Sequence, residues 1–262
     1  MNRLGILGER LRCRVLRTCG IQSMRNLGNI VLPFDLCSHS AYNFARYDSY
    51  YIPLMVLMRE VLHEGGVFVD VGANIGYSAA VGMHRVGRSG RVIAFEPVPT
   101  YSVQLSALAK ANPGHHLLVE PVALGSQAGE TAIAVSERNI GWNTMVPGFM
   151  REPHAVVRIP VLVFDDYVKT HELNRIDLIK IDVEGYELPV LEGMRATLLR
   201  LRPPLHVECA PQAYRLLDRQ ASDLQAFLAD VGYRARDAQS LRPVDLATIQ
   251  QTTNVLLTPL DR

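Results

Sequence analysis

The stretch Val67-Phe68-Val69-Asp70-Val71-Gly72-Ala73-Asn74-Ile75-Gly76-Tyr77 restricts this chain more than any other. An apolar run carries Asp70 near its end, glycines follow, and apolar residues then recur at helical spacing as far as Val86. That order predicts a buried strand, a tight turn and a helix. The turn would lie at the carboxyl end of the strand, where open α/β sheets bind their ligands. Gly72 has no Cβ, so the backbone can turn sharply there and a ligand can come close. The first N–H groups of the helix would then face that ligand. Asp70, Gly72, Ala73, Asn74, Gly76, Tyr77 and Ser78 are the candidate binding residues of this segment.

Residue types narrow the ligand. A dinucleotide fingerprint requires G-x-G-x-x-G, and Asn74 occupies the place of the glycine that admits a pyrophosphate. An acid at a strand end suits an ammonium group better than a diphosphate. The next apolar strand, Arg91-Val92-Ile93-Ala94-Phe95, runs into Glu96-Pro97. Glu96 follows Gly76 by about the spacing of a carboxylate that grips ribose hydroxyls. The plainer alternatives are a solvated loop acid for Glu96 and a ligand-free strand-turn-helix for the glycines. Together, Asp70, the turn and Glu96 describe a site for a molecule with an amino-acid end and a nucleoside end, the form of S-adenosylmethionine.

A chain of 262 residues, 48% of them hydrophobic, suffices for one sizeable α/β core plus an N-terminal extension. A net charge of +1 gives no footprint for nucleic acid. Cys13, Cys19, Cys37 and Cys209 form no C-x-x-C pair and read as reduced thiols of a cytoplasmic protein. No apolar run nears the ~18 residues needed to span a bilayer, and no leader of signal-peptide type is evident.

Residues 1–50 read as a helical and irregular extension, and 51–262 as the main domain. The arginine-rich first 25 residues fit a leading helix packed on the core better than one lying on a membrane surface. Residues 26–45 look like an irregular linker able to cover the site, and the aromatic run 44–51 either lines a pocket or packs. A helix starts at Ile52-Pro53. Beyond Glu96 the pattern predicts a helix over 99–112 and a strand over 117–119, whose exit through Ala123 would face an adenine ring. Strands follow at 130–135 and 156–163, and Asp165-Asp166 mark a helix start. Between those strands, the loop 139–144 holds Trp142, the only tryptophan, and is either a ligand contact or a plain turn. A helix over 188–198, a strand over 204–209, a long helix ending at Gly232 and terminal strands at 233–236 and 254–257 complete the order. The count fits one doubly wound sheet with helices on both faces.

The second dense motif is Ile176-Asp177-Leu178-Ile179-Lys180-Ile181-Asp182-Val183-Glu184-Gly185-Tyr186-Glu187. Alternation puts Lys180 and Asp182 on one face of a buried strand. Acids and a lysine crowded at the exit of an apolar strand need partners or a ligand. Asp182, Glu184 and Lys180 are therefore the candidate catalytic residues, with Asp182 also placed to touch a cofactor. The plainer reading has Lys180 neutralising Asp182 and Glu184 capping a helix. His206 and Glu208 share a face of the next strand, and Glu208 ends it beside Asp182.

These segments, with Leu191-Glu192-Gly193 behind them, resemble the FkbM family of methyltransferases from about Val67 to Glu208. Phe164 stands where that family usually has leucine. The resemblance implies a Rossmann-like class I methyltransferase fold: an α/β, seven-stranded doubly wound sheet with its last strand antiparallel. It implies S-adenosylmethionine as cofactor and a hydroxyl of a sugar or small natural product as acceptor; net charge and hydropathy add the expectation of no nucleic acid and no membrane span, and a homo-oligomer is left open. By the same likeness Asp70, Gly72, Asn74 and Gly76 hold the methionine end, Glu96 holds the ribose, and Asp182 and Glu184 lie beside the transferring methyl. Rival readings are a non-catalytic cofactor-binding module and a nicotinamide-dependent oxidoreductase. A divalent cation such as Mg²⁺ on Asp182, Glu184 and Glu208 is chemically suitable but not favoured, because Lys180 can satisfy the charge.

Overall fold

The computed structural model describes residues 25–33, 52–136, 141–152 and 154–260. The expected leading helix, the aromatic run 44–51, Cys13, Cys19 and Cys37 lie outside the described residues; Cys209 is a buried free thiol. The first described segment is a hairpin, β1 (Arg25–Leu27) with β2 (Ile30–Leu32), where the sequence suggests an irregular linker. Strands this short carry no readable periodicity, and a distant residue fixes them. The Asn112 amide accepts from the Val31 N–H and donates to the Val31 carbonyl, each at 2.8 Å.

After α1 (Ile52–Val61), strands and helices alternate as expected: β3 (Val67–Val71), α2 (Tyr77–Val86), β4 (Arg91–Phe95), α3 (Pro99–Ala111) and β5 (His116–Glu120). The chain then leaves the main sheet for β6 (Ala123–Leu124), β7 (Gly129–Ser136), β8 (Asn143–Thr144) and β9 (His154–Leu162). It returns through α4 (Phe164–Thr170), β10 (Leu178–Ile181), α5 (Glu187–Glu192), α6 (Arg195–Leu201) and β11 (Leu205–Cys209). The last elements are α7 (Pro211–Tyr214), α8 (Ala221–Val231), β12 (Tyr233–Asp237) and β13 (Thr253–Pro259).

The main sheet has seven strands in the order β12-β13-β11-β10-β3-β4-β5. Strands β11, β10, β3, β4 and β5 run parallel, and β13 runs antiparallel to both its neighbours. This is the expected Rossmann-like class I methyltransferase sheet, last strand included. Both faces are covered: Val69, Ile93, Ile179 and Val207 pack on one side, and Phe68, Val92, Ala94 and Leu178 on the other. Double burial explains why these strands read as apolar runs rather than alternating ones. Among the described residues, no helix is long and apolar enough to cross a membrane.

The strands expected at 130–135 and 156–163 are present as β7 and β9, which pair with each other inside a separate sheet ordered β6-β9-β7-β8. Two expectations need correction. The helix predicted over 188–198 is two helices, because Asp165 caps the second one: its carboxylate accepts from the N–H groups of Ala196 and Thr197 at 2.8 Å each. The long helix ending at Gly232 is interrupted after Tyr214 by a 3₁₀ turn and by Asp218 at φ +54°.

Candidate active site

Strand order switches between β3 and β10, where ligands bind in sheets of this kind. The turn after β3 is held from inside. The N–H groups of Gly72 and Ala73 both donate to the Phe95 carbonyl, at 3.0 and 3.1 Å. Asn74, at φ +52°, donates its N–H to Glu96 Oε2 at 2.8 Å and accepts from the Ile75 N–H at 2.7 Å. Gly76 donates to the Ala73 carbonyl. The backbone donors of residues 72–76 thus close the turn on itself. Below them, α2 begins with no side-chain cap.

Glu96 ends β4 and is 4% exposed. Its two oxygens accept from the N–H groups of Asn74 and Val98, each at 2.8 Å. A carboxylate oxygen accepts more than one hydrogen bond, so each keeps capacity for a hydroxyl. Burial pushes its carboxyl up to about 7, with the Val98 and Asn74 N–H groups working against that rise. Tyr101 on α3 lies close enough to feel the Glu96 charge. Pro97 is half-buried beside Glu96, while Ala123 is buried in β6, where it pairs with Val161 of the small sheet. Tyr77 points toward α1, its hydroxyl 3.9 Å from Met55 Sδ.

Register builds the other half of the site. Asp70 of β3 lies opposite Lys180 of β10, which lies opposite His206 of β11. Asp70 is fully buried; Oδ2 accepts from the Ser78 hydroxyl at 2.6 Å, and Oδ1 is 3.3 Å from Lys180 Nζ. Lys180 also donates to the Gly72 carbonyl at 2.9 Å and lies 3.6 Å from Asp182 Oδ2. Burial works against its charge, but Asp70 and Asp182 outweigh it and hold the ammonium above the ordinary lysine range. Lys180 therefore ties the turn to the acids, and its donors point at protein groups. Burial pushes His206 down to about 4, which keeps the imidazole neutral.

Carboxyl oxygens of Asp182, Glu184 and Glu208 lie within 4.8 Å of one another. Glu184 sits at φ +51°, strained for a residue with a Cβ. Burial, then the charges of Asp182, Glu208 and Glu187, push its carboxyl up to about 9. Burial likewise raises Glu208, which lies within hydrogen-bond reach of Asp182. Glu187 is fully buried at the start of α5, pushed up to about 7, and accepts the Gly185 N–H at 2.7 Å. Like charges this close cannot all ionise, so the cluster holds protons at neutral pH or a cation takes their place. The oxygens suit a hard divalent ion, but the Lys180 ammonium already lies against Asp182 and repels one.

Proton uptake by the cluster has a consequence for stability. A carboxyl at about 9 in the folded chain and near 4.3 unfolded binds its proton more tightly when folded. Its contribution is therefore present at low pH and lost as pH rises from about 4.3 toward 9. Glu184→Gln, which cannot ionise, should be more stable than the parent by a margin that grows by at least ~1 kcal/mol between pH 5 and pH 8. Urea unfolding at the two pH values measures this; an offset that does not change with pH would rule the explanation out.

The small sheet clasps this cluster. The Thr144 hydroxyl donates to the Glu184 carbonyl at 2.7 Å and accepts the Val146 N–H at 3.0 Å. A Cβ on Gly185 would stand 2.2 Å from Ala213 Cβ and 3.4 Å from Val146 Cγ2, so α7 and the segment that follows β8 both pack on the loop. Sequence reasoning assigned no role to Glu187 or Tyr101, and placed Thr144 only within a loop read as a ligand contact or a plain turn. A helix-first-turn acid and a threonine in a short strand are ordinary locally, and only burial and long-range pairing mark them.

A family model described as the methyltransferase FkbM domain matches residues 70–235. The hexuronic acid methyltransferase AglP of Haloferax volcanii is 30% identical over 142 residues, 54% of this chain and 55% of that protein. The methyltransferase sdnD of Sordaria araneosa is 29% identical across 48% of this chain and 59% of that protein. The chain thus spans little more than half the length of these curated relatives. Methyltransferase FkbM from Methylobacillus flagellatus KT superposes with a TM-score of 0.49 at 17% identity, covering 95% of this chain and 70% of that one. With the model covering most of its length, the chain belongs to the FkbM methyltransferase family.

Proposed function

We propose that this member of the FkbM methyltransferase family moves the methyl group of S-adenosylmethionine to a hydroxyl of a sugar or small natural product. The observation that carries the reading is the placement of Glu96 and the Asp182–Glu184–Glu208 cluster on opposite flanks of one closed glycine turn. A nucleoside end and a cationic centre can be met at once by that arrangement. The residues fit the cofactor: Glu96 keeps hydrogen-bonding capacity for a ribose diol, and the acid cluster can face a cationic centre. When bound, S-adenosylmethionine supplies a methyl group on a sulfonium with a good leaving group already in place.

The protein's own part is alignment and proton removal. Holding an acceptor hydroxyl in line supplies about 7–11 kcal/mol of the barrier reduction. Glu184, protonated near neutral pH, donates a hydrogen bond, and Asp182, set beside Lys180, is the acceptor for the hydroxyl proton. A sugar acceptor is supported by the hexuronic acid named for the Haloferax volcanii relative. Against a nicotinamide ligand stands Asn74, whose N–H closes on Glu96 where a pyrophosphate would need bare backbone.

Calorimetric titration with S-adenosylhomocysteine, with NAD as control, tests the reading. Micromolar binding of the first and none of the second is expected; NAD binding alone would replace the methyltransferase reading with the oxidoreductase one. In the same assay Glu96→Ala should weaken S-adenosylhomocysteine by roughly ten- to a hundredfold, the worth of a charged hydrogen bond. Unchanged affinity in the folded variant would take Glu96 out of the site.

A further inference from the structure

Beyond the carboxylates, the segment from Trp142 to Met150 has no part in the chemistry above, yet it is fastened to both ends of the site. Asn143 lies within hydrogen-bond reach of Tyr101, the neighbour of Glu96, and Thr144 holds the Glu184 carbonyl at 2.7 Å. The segment therefore runs along the line from the expected nucleoside end to the acids. Trp142 precedes Thr144 by two residues, the spacing that puts side chains on one side of extended chain.

Trp142 and Phe149 are both half-buried and meet edge to face, with ring centroids 6.4 Å apart and planes at 85°. An edge-to-face pair leaves the faces of the edge-on ring free of its partner. Phe149 is anchored from behind: it packs on the apolar cluster of Val146, Ala210 and Ala213, which borders Gly185. The result is a partly exposed aromatic corner beside Thr144, whose hydroxyl holds the loop that carries Glu184. Binding pockets commonly combine such apolar walls with a few fixed polar groups.

We infer that Trp142 and Phe149 form the wall against which the ring of a pyranose acceptor lies, while the carboxyl cluster meets its hydroxyl edge. The inference rests on the methyl-transfer reading and names its acceptor class. The C–H face of a pyranose matches a flat aromatic surface, whereas an open-chain polyol with the same hydroxyls presents no such face.

Because Trp142 is the only tryptophan in the chain, its emission reports the site directly. The full chain is first titrated with S-adenosylhomocysteine. Once saturated, it is titrated with methyl β-glucopyranoside, methyl β-galactopyranoside, methyl α-mannopyranoside and, as the open-chain control, sorbitol. A saturable change with at least one pyranoside and none with sorbitol is expected. For that pyranoside, Trp142→Ala should raise KM about tenfold with kcat within about threefold, and Trp142→Phe should restore KM to within about threefold. The wall is overturned if no pyranoside moves the emission, if sorbitol moves it equally, or if S-adenosylhomocysteine alone gives the whole change, which would put Trp142 on the cofactor. Failure of S-adenosylhomocysteine to bind, visible before any sugar is added, would instead overturn the methyl-transfer reading beneath it.

Discussion

Gly72→Ala is expected to destabilise the fold by at least ~3 kcal/mol and to abolish S-adenosylhomocysteine binding. Two causes add at this position. Its φ of +75° lies in the left-handed region, which costs a residue with a Cβ about 1–2 kcal/mol. In addition, a Cβ would stand 1.9 Å from the Asp182 carbonyl oxygen, a backbone atom that cannot rotate away. That contact is where the turn after β3 meets the end of β10, so relieving it means separating the two halves of the site. Gly148→Ala is the matched control, because Gly148 has a φ of +74° with nothing within 4 Å of a Cβ. It should cost only the conformational part, about 1–2 kcal/mol. Equal losses for the two variants in urea unfolding would mean that the overlap contributes nothing.

Asp182→Asn is expected to lower kcat about a hundred- to ten-thousandfold, the contribution of a positioned base. S-adenosylhomocysteine affinity should stay within about threefold, because the residues assigned to the ribose and to closing the turn, Glu96 and Asn74, are untouched. Glu184→Gln should be far milder, within about tenfold, since an amide can donate a hydrogen bond to the acceptor in place of the carboxyl that burial and its neighbours keep protonated. The same assay in EDTA should leave the parent's turnover unchanged. Full turnover by Asp182→Asn would remove Asp182 as the base. Loss of parental activity in EDTA with recovery in Mg²⁺ would instead assign the Asp182, Glu184 and Glu208 oxygens to a cation that acidifies the acceptor.

The elements that carry the site were legible along the chain because their signals are local. Apolar runs ending in Asp70, Glu96, Asp182 and Glu208, each followed by turn or helix signals, are enough to place acids at the carboxyl ends of buried parallel strands. Periodicity also gave the helices after β3 and β4, since each is one amphipathic stretch. What the chain did not show is who faces whom. Asp70, Lys180 and His206 fall in one row because β3, β10 and β11 align in a particular register, a sum of contacts made across residues far apart in sequence. The strands of the small sheet look like any others in sequence, and only the pairing of β7 with β9 takes them out of the main sheet and brings Thr144 onto Glu184. The split helix over 187–201 depends on a carboxylate from Asp165, more than 20 residues upstream. Charge state follows the same division. The sequence supplies the acids, but burial and mutual proximity, which exist only once the strands have met, decide that Glu184 holds its proton and Lys180 keeps its charge.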